Sequence, residues 1–263
     1  MEEVFSNNEA EYKPRSVDVI LAEGFTVNPI RIIRRAFQFF VNEAGIYVAF
    51  TLVCVAIYMA FRALPIVGDL SGMLVWSPLV AGFACYMRLQ SRNECREFSN
   101  FFDGFRGGRW PSLVSLAISL RLSMVIVVAA AVLPFFLDVI QVFVTEFEKV
   151  QSMDQEKAAE FMLTLFTPQL GLAALLAALV AVLVMTFFCL APLFIVYRGY
   201  NAFQAIGASW KLVVRKYPSF LMLNVLLWLI IAVGFLLCCV GLLAALPIYY
   251  LAFAAAYEEI TGD

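Results

Sequence analysis

YPSFLMLNVLLWLIIAVGFLLCCVGLLAALPIYYLAFAAAY, residues 217–257, runs for 41 positions without a charged side chain. At ~1.5 Å per helical residue this is about twice the length that crosses a ~30 Å hydrocarbon core. In lipid every backbone N–H and C=O must find its partner within the chain, and a run without strand-type alternation does so only as helix. Cys238-Cys239-Val240-Gly241 divides the run at a residue free of the usual backbone restriction, so it reads as two antiparallel spans.

The same scan carried towards the N-terminus gives six spans in all, at about 44–64, 68–88, 112–137, 168–197, 218–238 and 240–257. The composition agrees: 63% of residues are apolar, 14% are charged, and 25 of 263 are Phe, far from the balance of a soluble domain. The expected fold class is an all-α polytopic transmembrane bundle, a single domain over 28–263 preceded by a flexible segment 1–27. Met1-Glu2-Glu3 is acidic where a basic n-region would stand, so no cleavable signal peptide is expected.

Lys and Arg fall on one side of these spans. Lys13, Arg15, Arg31, Arg34 and Arg35 precede the first; Arg88, Arg92, Arg96, Arg106, Arg109 and Arg121 lie around the loop 88–121; Arg198, Lys211, Arg215 and Lys216 occupy 198–216. The opposite side holds Arg62, Lys149 and Lys157. The positive-inside bias places both termini in the cytoplasm. On the outer side, 138–167 alternates Glu146, Glu148, Asp154, Glu156 and Glu160 with apolar residues, and reads as an acidic helical hairpin extending the third and fourth spans.

An amphipathic stretch precedes each odd-numbered span. Asn28-Pro29 offers an N-cap and a proline at N1, after which Ile30, Ile33, Phe37, Phe40 and Val41 share a face opposite Arg31, Arg34, Arg35 and Gln38. Phe98, Phe101, Phe102 and Phe105 form the second stripe; Phe203, Ile206, Trp210 and Val213 form the third, opposite Gln204, Lys211 and Arg215. Such helices lie flat on the inner leaflet, with Arg31, Arg34, Arg35, Arg106, Arg109, Lys211 and Arg215 towards anionic headgroups. The even-numbered spans each contain a proline, Pro78, Pro192 or Pro247, which frees the carbonyl four residues back at Leu74, Phe188 or Leu243 and provides a kink or hinge. The chain therefore parses as three copies of interfacial helix, outgoing span and proline-bearing returning span.

Chemistry is sparse. Histidine is absent, which removes the commonest general base and metal ligand. Five of the six cysteines (Cys54, Cys85, Cys189, Cys238 and Cys239) lie within apolar runs, while Cys95 is in a loop, and no C-x-x-C pair exists. They read as reduced packing residues. Within the spans only Arg121 and Asn224 stand out, the first as a cation snorkelling to the headgroups, the second as a helix-to-helix hydrogen-bonding group. Arg62 and Asp69 are placed to pair across the first hairpin. The glycines and arginines of Phe102–Trp110 follow no strand and lack the Gly-Lys-Ser/Thr ending of a phosphate loop, so Gly107-Gly108 reads as a turn with Arg109 and Trp110 as interfacial anchors. No catalytic set, cofactor or metal is expected, and an enzyme built on Glu97 and Asp103 is the weakest reading.

Phe101-Phe102-Asp103-Gly104-Phe105 after two spans, Ala191-Pro192-Leu193-Phe194, Ala205-x-x-Ala208-Ser209-Trp210, and the ending from Leu246-Pro247 through Ala256-Tyr257-Glu258-Glu259-Ile260-Thr261-Gly262 together carry a resemblance. Over about 28–262 the chain resembles uncharacterised bacterial six-helix integral membrane proteins similar to the membrane domain of membrane-anchored glycerophosphodiester phosphodiesterases. The resemblance implies a bacterial cytoplasmic membrane location; it is to the membrane domain alone, so no phosphodiesterase activity is expected. The functional expectation is a non-enzymatic lipid-interacting or accessory subunit, in contact with membrane lipids and other membrane proteins but not nucleic acid. The alternative is a permease or channel for a lipid-like or small apolar solute, using a cavity between the kinked spans.

Overall fold

A computed structural model describes residues 15–63, 68–151, 168–237 and 240–262. Every regular element among them is helical. Three helix starts are written in short polar side chains. Ser16 caps α1 (Val17–Glu23) by accepting from the Val19 amide at 3.3 Å. Asn28 caps α2 (Pro29–Asn42) by accepting from Arg31 N at 3.2 Å, with Pro29 in the first turn as expected. Asn201 caps α8 (Ala202–Arg215) in a reciprocal capping box, its Oδ1 accepting from Gln204 N at 2.9 Å while Gln204 Oε1 accepts from Asn201 N. Asn201→Ala is expected to cost about 1 kcal/mol, and Asn28→Ala slightly less because it breaks a single bond; denaturant unfolding of the detergent-solubilised chain reads both.

These two helices are alike beyond their caps. Each is 14 residues long. Each ends on one irregular residue, Glu43 at φ −138°, ψ 40° or Lys216 at φ −131°, ψ 34°, and passes at once into an apolar helix, α3 (Ala44–Arg62) or α9 (Tyr217–Leu236). Aligning Asn28 with Asn201, each buried position of α2 and α3 has a buried counterpart: Pro29, Ile32, Ala36 and Phe40 against Ala202, Ala205, Ser209 and Val213, then Tyr47, Phe50, Thr51 and Cys54 against Phe220, Leu223, Asn224 and Leu227; α8 also buries Ala208 and Leu212, where α2 has the half-buried Arg35 and Phe39. The exposed apolar positions coincide too, Ile30, Phe37 and Val41 against Phe203, Trp210 and Val214. Each amphipathic helix thus has three faces: one packed on protein, one basic, one apolar and uncovered by the fold. The expected stripe on α2 merged the first and last of these; Phe40 is buried, whereas Ile30, Phe37 and Val41 are not.

The middle amphipathic stretch is different. Phe98–Phe105 forms a 3-10 helix whose Phe101 is wholly buried, stacked between Phe50 (centroids 4.1 Å apart) and Tyr86 (4.2 Å). It is seated against α4 (Gly68–Ser91) instead of lying flat on a leaflet, because two glycines allow backbone to touch backbone. A Cβ on Gly82 would collide with the Phe101 carbonyl, and one on Gly104 with the Pro78 carbonyl. Pro78 sits inside α4, and the Leu74 carbonyl it frees accepts from Trp110 Nε1 at 3.2 Å. Gly107 and Gly108, both at positive φ, turn the chain into α5 (Arg109–Gln151), which begins before the expected span and continues past it.

The expected fourth span is one hydrophobic segment in two helices, α6 (Pro168–Phe188) and α7 (Ala191–Arg198), interrupted at Cys189–Leu190 just before Pro192. Gly199, at φ 65°, ends α7. Among the described residues, four segments are long and apolar enough to cross a membrane: Ala44–Phe61, Arg109–Ala130, Leu175–Arg198 and Tyr217–Leu236. The remaining two expected spans, 68–88 and 240–257, fall on α4 and α10 (Leu242–Thr261), the helices that contain Pro78 and Pro247. Gly234 and Gly241 let α9 and α10 meet closely, an added Cβ on Gly234 lying 2.9 Å from that of Ala245.

The chain divides into two compact units, Met1–Ala117 with Thr186–Asp263, and Ile118–Met185. In the first, α10 is the central element, packed against α2, α3, α4 and α9. From Leu251 to Glu258 it is buried on every side, four alanines (Ala252, Ala254, Ala255 and Ala256) permitting the close approach. Within the segment expected to be flexible, residues 15–27 carry α1, which packs on α8 and α10. Residues 1–14 and 152–167, the latter being most of the expected acidic hairpin, lie outside the described residues, as do the side chains of Arg62 and Asp69.

Candidate functional site

The polar chemistry of the first unit gathers at the C-terminal end of α10. Glu258 is 4% exposed and receives three donors: Arg35 Nη2 from α2 at 2.8 Å, Ser91 Oγ from the end of α4 at 2.9 Å, and Tyr197 OH from α7 at 2.8 Å. Its neighbour Glu259 pairs with Arg31 of α2. Arg15 Nε donates to the Thr261 carbonyl at 3.3 Å, and Arg88 donates to Val196 O while lying 5.4 Å over the Tyr197 ring. One end of one helix is thereby tied to three others, α2, α4 and α7, and to the segment before α1. Burial pushes the Glu258 carboxyl above its ordinary value of 4.5, against the opposing pull of Tyr197, Ser91, Arg35 and Arg92.

A second node adjoins it at the irregular residue between α2 and α3. Glu43 accepts from Tyr86 OH and pairs with Arg96 at 2.8 Å. Gln90, buried, accepts from Tyr47 OH at 2.6 Å and donates to the Phe39 carbonyl at 3.2 Å. Between these nodes is a cavity of about 530 Å³, lined by Arg35, Phe39, Asn42, Glu43, Gln90, Ser91, Asn93 and Arg96. Asn93 shapes its rim at φ 53°, a left-handed conformation that asparagine tolerates better than most residues. The amides of Asn93 and Glu94 close the end of α4 by donating to Gln90 O and Leu89 O.

The expected interfacial basic residues are distributed unevenly. Arg31 and Arg35 turn towards α10 and its glutamates, whereas Arg34 and Arg215 are exposed. Arg106 pairs with Asp103 at 3.2 Å, Arg109 donates to the Asp103 carbonyl, and Lys211 reaches Asp18 at 3.3 Å. Asn224 is buried and donates to Thr186 Oγ1 at 2.9 Å, the helix-to-helix bond expected of it. Arg121 is exposed on α5, in the second unit. Pro78, Pro192 and Pro247 lie on α4, α7 and α10.

Sequence reasoning passed over Glu258, Glu43, Gln90 and Tyr197. The available signal was the acidic pair Glu258-Glu259 closing a 41-residue uncharged run, opposite in sign to the basic helix 29–42. Cys54 and Cys85 are buried free thiols, and among the described residues no group of His, Cys, Asp or Glu could hold a metal ion. No family model, curated protein or solved structure matches the chain.

Proposed function

We propose that this chain is a non-enzymatic integral membrane protein of the bacterial cytoplasmic membrane, a lipid-contacting accessory subunit of a larger assembly. In this reading α4 and α10 complete six spans, and the end that gathers α1, α2, α8 and the 3-10 helix faces the cytoplasm. The observation that carries it is the duplicated amphipathic helix: α2 and α8 each present an uncovered apolar stripe beside Arg and Lys, and each runs directly into an apolar helix. An amphipathic helix joined to a span by one residue is held at interface depth, where an apolar face meets acyl chains and a basic face meets anionic headgroups. The matching caps, kinks and burial of the two also support an internal repeat, with 98–137 and 168–198 as its diverged third copy.

Environment-sensitive fluorophores on single cysteines, in a background with the native cysteines replaced, test the placement in phosphatidylglycerol-containing vesicles. Probes at Phe37 and Phe203 are expected to emit as in an apolar medium, and probes at Gln38 and Gln204 as in water. Aqueous emission from all four positions overturns the interfacial reading. For the accessory role, native mass spectrometry after gentle extraction should recover a stoichiometric protein partner; repeated recovery of the bare chain counts against it.

A further inference from the structure

The cavity between the Glu258 and Glu43 nodes has the makings of an anion site. Its two arginines come from different elements, Arg35 from α2 and Arg96 from the segment before the 3-10 helix, and both line the same space. Each is steadied by a carboxylate, Glu258 for Arg35 and Glu43 for Arg96, both through Nη2 at 2.8 Å. A guanidinium carries five N–H donors in a fixed fork, and one anchoring contact leaves the others to serve a ligand. Glu258 is at 2% side-chain exposure behind Arg35 and does not line the cavity. Glu43 does line it, but its charge is matched by Arg96 and its other oxygen is taken by Tyr86 OH. The side chains of Asn42, Asn93 and Ser91 add neutral polar groups, with Asn42 and Asn93 at the exposed rim and Gln90 at the buried floor. The volume, about 530 Å³, lies within the ~300–1,000 Å³ range of ligand clefts.

From this geometry we infer that the cavity binds a phosphate-bearing anion, clamped between Arg35 and Arg96. Fork-shaped donors approaching from two walls match the oxygens of a phosphate, where one lysine would act only as a point charge. The phosphate belongs either to a lipid headgroup or to a soluble phosphate. The inference rests on the lipid-contacting reading only for the first source.

The test uses the full chain in dodecyl maltoside and follows the thermal midpoint with three probes: inorganic phosphate, phosphatidylglycerol, and a galactolipid without phosphate. Protection by inorganic phosphate identifies a soluble source; protection by phosphatidylglycerol but not by the galactolipid identifies a headgroup. In either case Arg96→Gln is expected to weaken apparent affinity by roughly tenfold, the loss of one charge-assisted contact. Asn42→Asp, which adds a negative charge at the rim without breaking any hydrogen bond of the fold, should weaken it similarly, so a poorly folding arginine variant does not decide the matter. Arg31→Gln, on the same helix but outside the cavity, is the control and should leave affinity unchanged. No protection by either phosphate probe, or protection indifferent to both Arg96→Gln and Asn42→Asp, overturns the site. The fluorophore experiment on α2 and α8 is unaffected by that result, so the two proposals fail separately.

Discussion

Gly82→Ala is expected to destabilise the fold by about 3 kcal/mol, the upper end of what a forced methyl costs in a packed core. The new Cβ would lie inside the contact distance of the Phe101 carbonyl and 3.2 Å from the Phe50 ring. A carbonyl anchored in a 3-10 turn cannot swing away as a flexible side chain can, so either α4 or the whole Phe98–Phe105 element must shift. That movement would pull Phe101 out of its stack between Phe50 and Tyr86. Gly104→Ala should behave alike, since its Cβ meets the Pro78 carbonyl from the other side of the contact. Gly45→Ala, in the first turn of α3, is the control: nothing lies within 4 Å of its added carbon, so no destabilisation is expected. Thermal unfolding in detergent, monitored by near-UV circular dichroism of the aromatic cluster, separates the three. A Gly82→Ala protein that melts with the wild type would show that the 3-10 helix is not seated on α4.

Glu258→Ala should cost about 3 kcal/mol, the lower end of what is lost when one partner of a buried ion pair is removed. The lower figure applies because Arg35, at 36% side-chain exposure, recovers some hydration and Ser91 can still donate to the Arg88 carbonyl, whereas Tyr197 loses its acceptor. Glu258→Gln is the informative companion. Its amide oxygen can face Arg35 while its NH2 donates to the two hydroxyls, so most of the network survives without the charge. The two proteins should also differ in pH dependence. Because burial raises the folded-state value of the carboxyl above 4.5, the folded protein binds a proton that the unfolded chain releases. This contribution is fully present below the unfolded value and is lost as pH rises through the folded one. Lowering pH from 7 towards the ordinary value of 4.5 should therefore raise the stability of the wild type relative to Glu258→Gln. A constant difference between them across that range would mean that the Arg35 pairing outweighs the desolvation.

Both expectations concern contacts between residues far apart in the chain, and that is where the sequence is least legible. Hydrophobic run length alone gave the helical class and the positions of the elements that follow Glu43 and Lys216, because lipid forbids unpaired backbone and leaves few alternatives. Asn28-Pro29 and Gly107-Gly108 were readable for the same local reason, a cap and a turn being settled by their own few residues. On α2 the pattern revealed amphipathicity but not which apolar positions are covered by protein. Ile32 and Ala36 pack into the interior while Ile30 and Phe37 do not, and nothing in a helical wheel separates a face against α10 from a face left uncovered when both are apolar. Phe98–Phe105 had the spacing of another surface helix, yet two glycines admitted backbone contact and drew its central ring inside.

The sequence by itself determined that this protein is a set of apolar helices joined by short basic amphipathic segments. Those properties are sums over local runs, and no tertiary arrangement can change them. Tertiary structure alone decided that the carboxylate of Glu258, near the end of an otherwise apolar α10, should be buried, and that Arg35, Ser91 and Tyr197 should be its partners. It also decided that Arg35 and Arg96 line one cavity. Arg35 and Glu258 are 223 positions apart, and only the packing of α2 against α10 brings them within hydrogen-bonding distance. Such pairings depend on which faces meet, a choice made by the shapes of alanine, glycine and aromatic side chains across several helices at once, and therefore absent from any single stretch of the chain.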